Sequence, residues 1–274
     1  MEITTGVHAI DDIYGAQTYL LIDDTLTLID TGYDGNAQKI LDYITAIGEN
    51  PNNLSRIIAT HYHPDHVGSA RQLVQQTPAT VLIHPAEVRR VSNDRYGVAI
   101  RMHSMGRLFR KWRSPLLPTT ACEFIEEGDI IPCLGGLQVI YTPGHSPGNI
   151  SLYLTKYKIL FTGDAIVNTP RLLLAYLPLG GDRSQSILSA KKLAELDPEI
   201  CLFSHGQPLF ADVPARLRYL ADNPIHFTVR LYVKERMAQR RERLFSHKQR
   251  KTIPAYTFNP EPVTDPVFTT PHSQ

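Results

Sequence analysis

Residues 56–66 read Arg56-Ile57-Ile58-Ala59-Thr60-His61-Tyr62-His63-Pro64-Asp65-His66. A β-rich apolar run passes here directly into four groups able to bind a metal. In an extended segment residues i and i+2 point the same way, so His61 and His63 can hold one ion. Pro64 turns the chain and sends Asp65 and His66 to a neighbouring position. Imidazole with carboxylate suits a borderline ion such as zinc, and iron or manganese also accept such a set. A lone histidine is ordinarily a surface or satisfied core residue. Four such groups within six residues are not explained that way. Helical zinc sites space their ligands at i and i+4; this spacing belongs to a strand-to-loop junction.

Upstream, Tyr19–Ile22 and Leu26–Ile29 read as short strands around the turn signal Asp23-Asp24, and the second stops at Asp30-Thr31-Gly32. Residues 36–47 place Ala37, Ile40, Leu41, Ile44 and Ile47 at helical spacing, and Gly48 ends the pattern. Downstream, a helix over 69–76, a strand at Thr80–Ile83, two strand-like runs within 123–141, and strands at Ile150–Leu154 and Ile159–Phe161 follow. A helix over 184–196, a strand over 200–203 and a helix near 212–221 complete the pattern. Strands alternating with helices predict an α/β class, and hairpin-linked strands in the middle argue against a purely parallel sheet. There is no short-period repeat.

The chain has 274 residues, enough for a sizeable core. Its 28 basic and 27 acidic side chains leave a formal charge of +1, no signature of a dedicated nucleic-acid or membrane-surface protein. The balance is uneven: residues 1–224 carry 19 basic and 23 acidic groups, residues 225–274 carry 9 and 4. Residues 95–118 hold Arg95, Arg101, Arg107, Arg110, Lys111 and Arg113 with no acid, interleaved with Tyr96, Phe109 and Trp112. The expected organisation is a catalytic body over 1–224, with 95–118 as a lid insertion, and a basic, then Pro-rich extension over 225–274. Cys122, Cys133 and Cys201 form no C-x-x-C pair and read as reduced thiols. The N-terminus lacks a signal-peptide pattern, and no apolar run approaches the ~18 residues of a membrane span. The expectation is a cytoplasmic protein with no membrane association.

Three more candidates follow β-rich runs: His145 in Thr142-Pro143-Gly144-His145-Ser146-Pro147-Gly148, Asp164 in Leu160-Phe161-Thr162-Gly163-Asp164, and His205 after Cys201-Leu202-Phe203-Ser204. With the first cluster they make five histidines and two aspartates, enough for two ions with positions left for water. A serine hydrolase competes for the same residues. Gly144–Gly148 fits G-x-S-x-G, and Ser146, Asp164 and His205 stand in triad order. That elbow needs the N–H of the residue after the nucleophile as an oxyanion donor, and here it is Pro147, which has none.

The combined pattern resembles the metallo-β-lactamase superfamily. The likeness rests on His61-x-His63-x-Asp65-His66, on His145 within its Thr-Pro-Gly-His-Ser-Pro-Gly setting, on Gly163-Asp164, on His205 and on the early Asp30-Thr31-Gly32 turn, and it spans roughly residues 15–210. The resemblance implies an α/β fold of the four-layer αββα type with metals at one edge of the sheets. It implies that His61, His63 and His145 bind a first ion, that Asp65, His66 and His205 bind a second, and that Asp164 bridges them. Asp30 would orient a ligand by hydrogen bonding. Two zinc ions are the implied cofactor, with iron or manganese as substitutes. Water activated between them would attack an acyl carbonyl, and Asp65 would accept or relay its proton.

Within that family the residues discriminate further. True β-lactamases usually lack the aspartate found at Asp164. Quorum-lactone hydrolases carry a tyrosine where this chain has Val167. Electron-transfer diiron members replace the histidine at 63 by glutamate. Glyoxalase II-like thioesterases share the ligand set, but their glutathione-binding C-terminal domain is not evident in 225–274. The expected activity is hydrolysis of an ester, thioester or lactone of a small, anionic substrate. The alternatives are a mononuclear-iron persulfide dioxygenase-like oxidoreductase and a phosphodiesterase or nuclease of the same fold. The expected partners are a small-molecule substrate rather than nucleic acid, with 225–274 either docking on the body or mediating a homodimer.

If the basic 95–118 segment selects for charge, deleting 99–113 raises KM for anionic esters more than for neutral ones. Steady-state kinetics on a matched pair of esters checks this, and equal effects on both would refute the charge argument.

Overall fold

The computed structural model describes residues 1–87, 121–169, 171–175 and 181–225, with the backbone of 89–91 and 95–97. Two mixed sheets form its centre. The first has seven strands in the order β1-β2-β3-β4-β5-β6-β9: Glu2–Thr4, Val7–Ile10, Thr18–Ile22, Leu26–Ile29, Leu54–Ile58, Thr80–Ile83 and Cys122–Phe124. Its first four strands are an antiparallel meander, and β4, β5, β6 and β9 are parallel. The second has five strands in the order β10-β11-β12-β13-β16: Ile130–Ile131, Leu137–Tyr141, Ile150–Leu154, Ile159–Phe161 and Ile200–Leu202. Its consecutive strands are antiparallel, and β16 returns parallel to β13. Two small hairpins stand apart: β7 with β8 (Arg89–Val91, Arg95–Gly97) and β14 with β15 (Ile166–Asn168, Leu172–Leu174).

Period-2 alternation divides each strand between two cores. Tyr19, Leu21, Ile58 and Leu82 meet Leu137, Val139, Ile150, Leu152 and Phe161 between the sheets. The opposite face of the first sheet, with Leu20, Leu28, Ile57 and Val81, packs on Ile40, Ile44, Ala70 and Leu73. Those four belong to helices α1 (Ala37–Ala46) and α3 (Ala70–Gln76). The outer face of the second sheet, with Tyr153, Leu160 and Cys201, packs on Leu193, Leu217 and Leu220. These come from α4 (Arg183–Ala194) and α5 (Val213–Asp222). Helices therefore cover both outer faces, and the fold is the expected αββα sandwich. Burial on both faces explains why β4 and β12 are buried along their whole length. The Tyr19 hydroxyl donates to the Phe203 carbonyl at 2.7 Å, and the Tyr19 ring meets Phe161 edge-on at 5.2 Å.

The expected elements recur with ends shifted by a residue or two. The sequence reading did not include β1, β2, β14, β15 or the one-turn helix α2 (Pro64–Val67). Its strand-like runs in 123–141 resolve into β9, β10 and β11. Of the basic 95–118 insertion only the backbone of 95–97, paired in the β7–β8 hairpin, belongs to the described residues. The remainder of it, and residues 226–274, lie outside them. Among the described residues, no helix is long and apolar enough to cross a membrane.

Leu152 sits at the centre of the inter-sheet core with no solvent exposure. Leu152→Ala should cost roughly 2–5 kcal/mol, the transfer term plus an unfilled cavity. Urea unfolding of the metal-free protein measures it as a lowered midpoint.

Candidate metal centre

The candidate ligands all stand just past strand ends. His61 lies three residues beyond β5, Asp164 three beyond β13, His205 three beyond β16 and His145 four beyond β11. Asp30 follows β4 directly. β4 is parallel to β5, and β11, β13 and β16 run in one direction, so these ends gather at one edge of the sandwich. The Ile150 N–H donates to the Thr60 carbonyl at 3.0 Å and joins the two sheets beside His61.

Local structure then aims each side chain. His63 caps α2, Pro64 takes its first position, and Asp65 and His66 follow on that turn. Gly163 has φ +53, and a Cβ there would lie 2.7 Å from the Ile150 carbonyl oxygen. Only glycine lets the chain turn so closely under β12 before Asp164. Asn149 accepts the Asp164 N–H through Oδ1 at 3.2 Å. Gly144, at φ +136, lets the turn that carries His145 abut the start of α4, where a Cβ would strike Ser186.

The structure brings all seven candidate ligands together in three overlapping groups: His61, His63 and His145; His61, His66 and Asp164; Asp65, His66 and His205. His63 Nδ1 is 2.9 Å from both His61 Nε2 and His145 Nε2. Asp164 lies 3.3 Å from His145 Nε2 through Oδ2 and 3.6 Å from both His66 Nε2 and His205 Nε2 through Oδ1. Asp65 Oδ2 is 3.3 Å from His205 Nε2.

The surrounding hydrogen bonds settle which nitrogen carries the proton. His66 Nδ1 donates to Asp30 Oδ2 at 2.8 Å. Thr60 Oγ1 donates to the same carboxylate at 2.8 Å, so its hydrogen is spent. It can therefore only accept from His61 Nδ1, 3.2 Å away. His145 Nδ1 donates to the Ala175 carbonyl, just past β15. When these three rings are neutral the proton lies on the outer nitrogen, and Nε2 offers a lone pair to the centre. His66 Nε2 and Asp164 Oδ1, 3.6 Å apart, are buried, and among the described residues neither has a hydrogen-bond partner. Buried polar atoms are seldom left so, and converging lone pairs repel one another. A cation satisfies both conditions, and the donor set of imidazole and carboxylate fits a divalent one.

Asp30 is buried between the sheets and accepts from four groups. Besides His66 and the Thr60 hydroxyl these are the Thr60 N–H at 2.9 Å and Ser204 Oγ at 3.4 Å. Ser146, the rival nucleophile, is also buried, and its hydroxyl donates to Glu87 Oε1 at 2.7 Å rather than to a histidine. The sequence reading missed Thr60, Ser204, Asn149, Glu87 and the Ala175 carbonyl. Each is a single polar residue or backbone group with no spacing signature, and only its burial marks it.

Electrostatics divides the histidines. Burial holds His61 well below its ordinary value, assisted by the neighbouring rings of His66, His63 and His145. Burial likewise holds His63 down at about 3 and lowers His145. Burial opposes protonation of His66 too, but the carboxylates of Asp30, Asp164 and Asp65 outweigh it and push His66 up. Asp164 and Asp65 do the same for His205. Asp65 falls to about 2 because its histidine neighbours overcome the burial that would raise it.

In the metal-free protein this gives a definite pH dependence. A histidine lowered by folding is protonated first in the unfolded chain, so it removes stability as pH falls below 6.5, for His63 down to about 3. His66 and His205 act oppositely, and their contribution is lost only as pH rises past 6.5. Glu87, raised to about 7 by burial, opposes the trend between 4.5 and 7. The three lowered site histidines, joined by His8 and His84, outnumber these groups. The urea midpoint of the chelator-treated protein should be lower at pH 5 than at pH 6.5, and an equal or higher one would contradict this balance.

Comparison with known proteins agrees with the fold. The chain is 29% identical over 230 residues to a probable metallo-hydrolase, YflN, of Bacillus subtilis, covering 76% of this chain and 86% of that one. It is 29% identical over 200 residues to the acyl-coenzyme A thioesterase MBLAC2 of Gallus gallus, covering 67% and 65%. The crystal structure of TTHA1623 in a di-iron-bound form superposes with a TM-score of 0.57 at 27% identity, covering 77% of this chain and 97% of that one. The sequence pattern of the metallo-beta-lactamase superfamily matches residues 12–205, and the chain belongs to that superfamily.

Proposed function

We propose that the chain is a dinuclear, zinc-dependent hydrolase that cleaves an ester, thioester or lactone of a small anionic substrate. The carrying observation is the convergence of seven potential ligands on His66 Nε2 and Asp164 Oδ1, two buried atoms that make no hydrogen bond among the described residues. His61, His63 and His145 would hold one ion, Asp65, His66 and His205 the other, and Asp164 both. When bound, such ions supply Lewis acidity toward a carbonyl and make water nucleophilic near neutral pH.

The protein's own groups do the rest. Asp30 and the Ala175 carbonyl keep His66 and His145 in the tautomer that presents Nε2. The His66 side chain is fully buried, whereas those of Asp65 and His205 are 22% and 31% exposed. Substrate therefore approaches from the Asp65–His205 side, where Asp65 can take a proton and pass it to the leaving group. The products are a carboxylic acid and an alcohol or thiol. Two divalent ions against the carboxylates of Asp65 and Asp164 leave the site cationic, which suits an anionic acyl compound. The relationship to an acyl-coenzyme A thioesterase supports the acyl-transfer class. In this reading residues 1–224 form the hydrolase body of a cytoplasmic protein, and 225–274 an extension that docks on it or pairs two copies.

Elemental analysis of protein purified without added metal, followed by a panel of ester, thioester, lactone and phosphodiester substrates, tests the proposal. Two zinc ions per chain with acyl hydrolysis is the expected result. One iron per chain with oxygen-dependent turnover of a persulfide, or preferential phosphodiester cleavage, would overturn it. Asp164→Ala should leave fewer than two metals per chain and lower kcat by at least about 100-fold; full activity with two bound metals would defeat the bridging role.

A further inference from the structure

Glu87 ends the short turn Pro85–Glu87, four residues beyond β6. It is 2% exposed. A carboxylate in such a place is costly unless its oxygens are used, and burial pushes this one up to about 7. Its oxygens are used, and in a divided way. Oε2 accepts the N–H of Tyr62, the residue between His61 and His63, at 3.2 Å. Oε1 accepts the Ser146 hydroxyl at 2.7 Å and the Gly148 N–H at 2.5 Å, both in the turn that carries His145. Gly148 is shaped for this contact: a Cβ there would lie 2.7 Å from Glu87 Cγ and 2.9 Å from Oε1.

The two segments come from different sheets. The His61–His63 segment leaves β5 of the first sheet, and the 142–149 turn links β11 to β12 of the second. The second group, Asp65, His66 and His205, makes no contact with Glu87 among the hydrogen bonds of the described residues. Asp30 serves that group instead.

We propose that Glu87 is a positioning residue: its carboxylate bridges the His61–His63 segment and the His145 turn and so sets the geometry of the three-histidine group. This rests on the reading that the three histidines hold an ion. The bridge needs an acceptor on both sides. Glutamine in place of Glu87 keeps one oxygen for Ser146 and Gly148 but turns an N–H toward the Tyr62 N–H. Aspartate keeps the charge but is one methylene too short to reach both sides. Ser146→Ala removes one donor and leaves the bridge in place through Gly148 and Tyr62.

The test is cobalt(II) binding to the metal-free protein, followed by chelator competition and the cobalt d–d absorption spectrum. A melt of each metal-free variant confirms that it is folded. In Glu87→Gln and Glu87→Asp one of two cobalt equivalents should weaken by about 10-fold or more, with the other unchanged. The spectrum of the weakened equivalent should change, while Ser146→Ala should behave as wild type. Two equivalents bound by folded Glu87→Gln with wild-type affinity and spectrum would overturn the inference. So would equal weakening of both equivalents, which marks general loosening, or full rescue by Glu87→Asp, which marks charge rather than bridging. Wild-type protein that binds no cobalt, or His145→Ala that binds as wild type, would overturn the metal reading itself. If Glu87→Asp does not fold, Glu87→Gln carries the test by itself.

Discussion

The Asp30 carboxylate is the point at which this structure is tied together. It follows β4, accepts the backbone N–H and the hydroxyl of Thr60 at the end of β5, accepts His66 Nδ1 from α2, and meets Ser204 beyond β16. One buried group thus joins both sheets and the one-turn helix. A buried charge is tolerated where every lone pair is used, and here the donors are supplied by the elements that must converge. The same bonds dictate the tautomers of His61 and His66, so the scaffold contact and the chemistry of the site are one arrangement.

That arrangement stores electrostatic conflict. Histidines whose protonation burial opposes lie against histidines whose protonation neighbouring carboxylates favour, around the buried pair His66 Nε2 and Asp164 Oδ1. A bound cation would relieve such crowding, and folding and metal binding would then be coupled. The sandwich core supplies the rigidity: strands buried on both faces cannot shift a register without turning a whole row of side chains into the wrong layer.

Much of the fold was legible because its strands and helices carry different periods. Ala37, Ile40, Leu41 and Ile44 announce α1, and all four are buried. The run Ile150–Leu154 announces β12, buried throughout. The short elements were not legible. β14 and β15 are three residues each, and α2 is a single turn that carries Asp65 and His66. Segments so short carry no period, and tertiary contacts alone give them their form. The weakly amphipathic α4 buries Ser186, Ser189 and Ala190, small residues that a hydrophobic pattern does not single out.

The seven candidate ligands were readable from residue type and position after strand-like runs, because metal ligands need particular donor atoms and strand ends present them, whereas Asp30 was singled out by the resemblance to the superfamily. The charge balance of the whole chain, +1, bore on none of this, since it counts histidines as neutral and averages over every surface. The sequence by itself determined the donor atoms, the layer periodicity and the family. Tertiary structure decided which nitrogen of each histidine faces inward, which lone pairs lack a partner, and that Glu87 lies between the two ligand-bearing segments. Those properties depend on hydrogen-bond partners brought together from distant parts of the chain. Linear spacing cannot encode them, because each exists only when two sheets meet at the same edge.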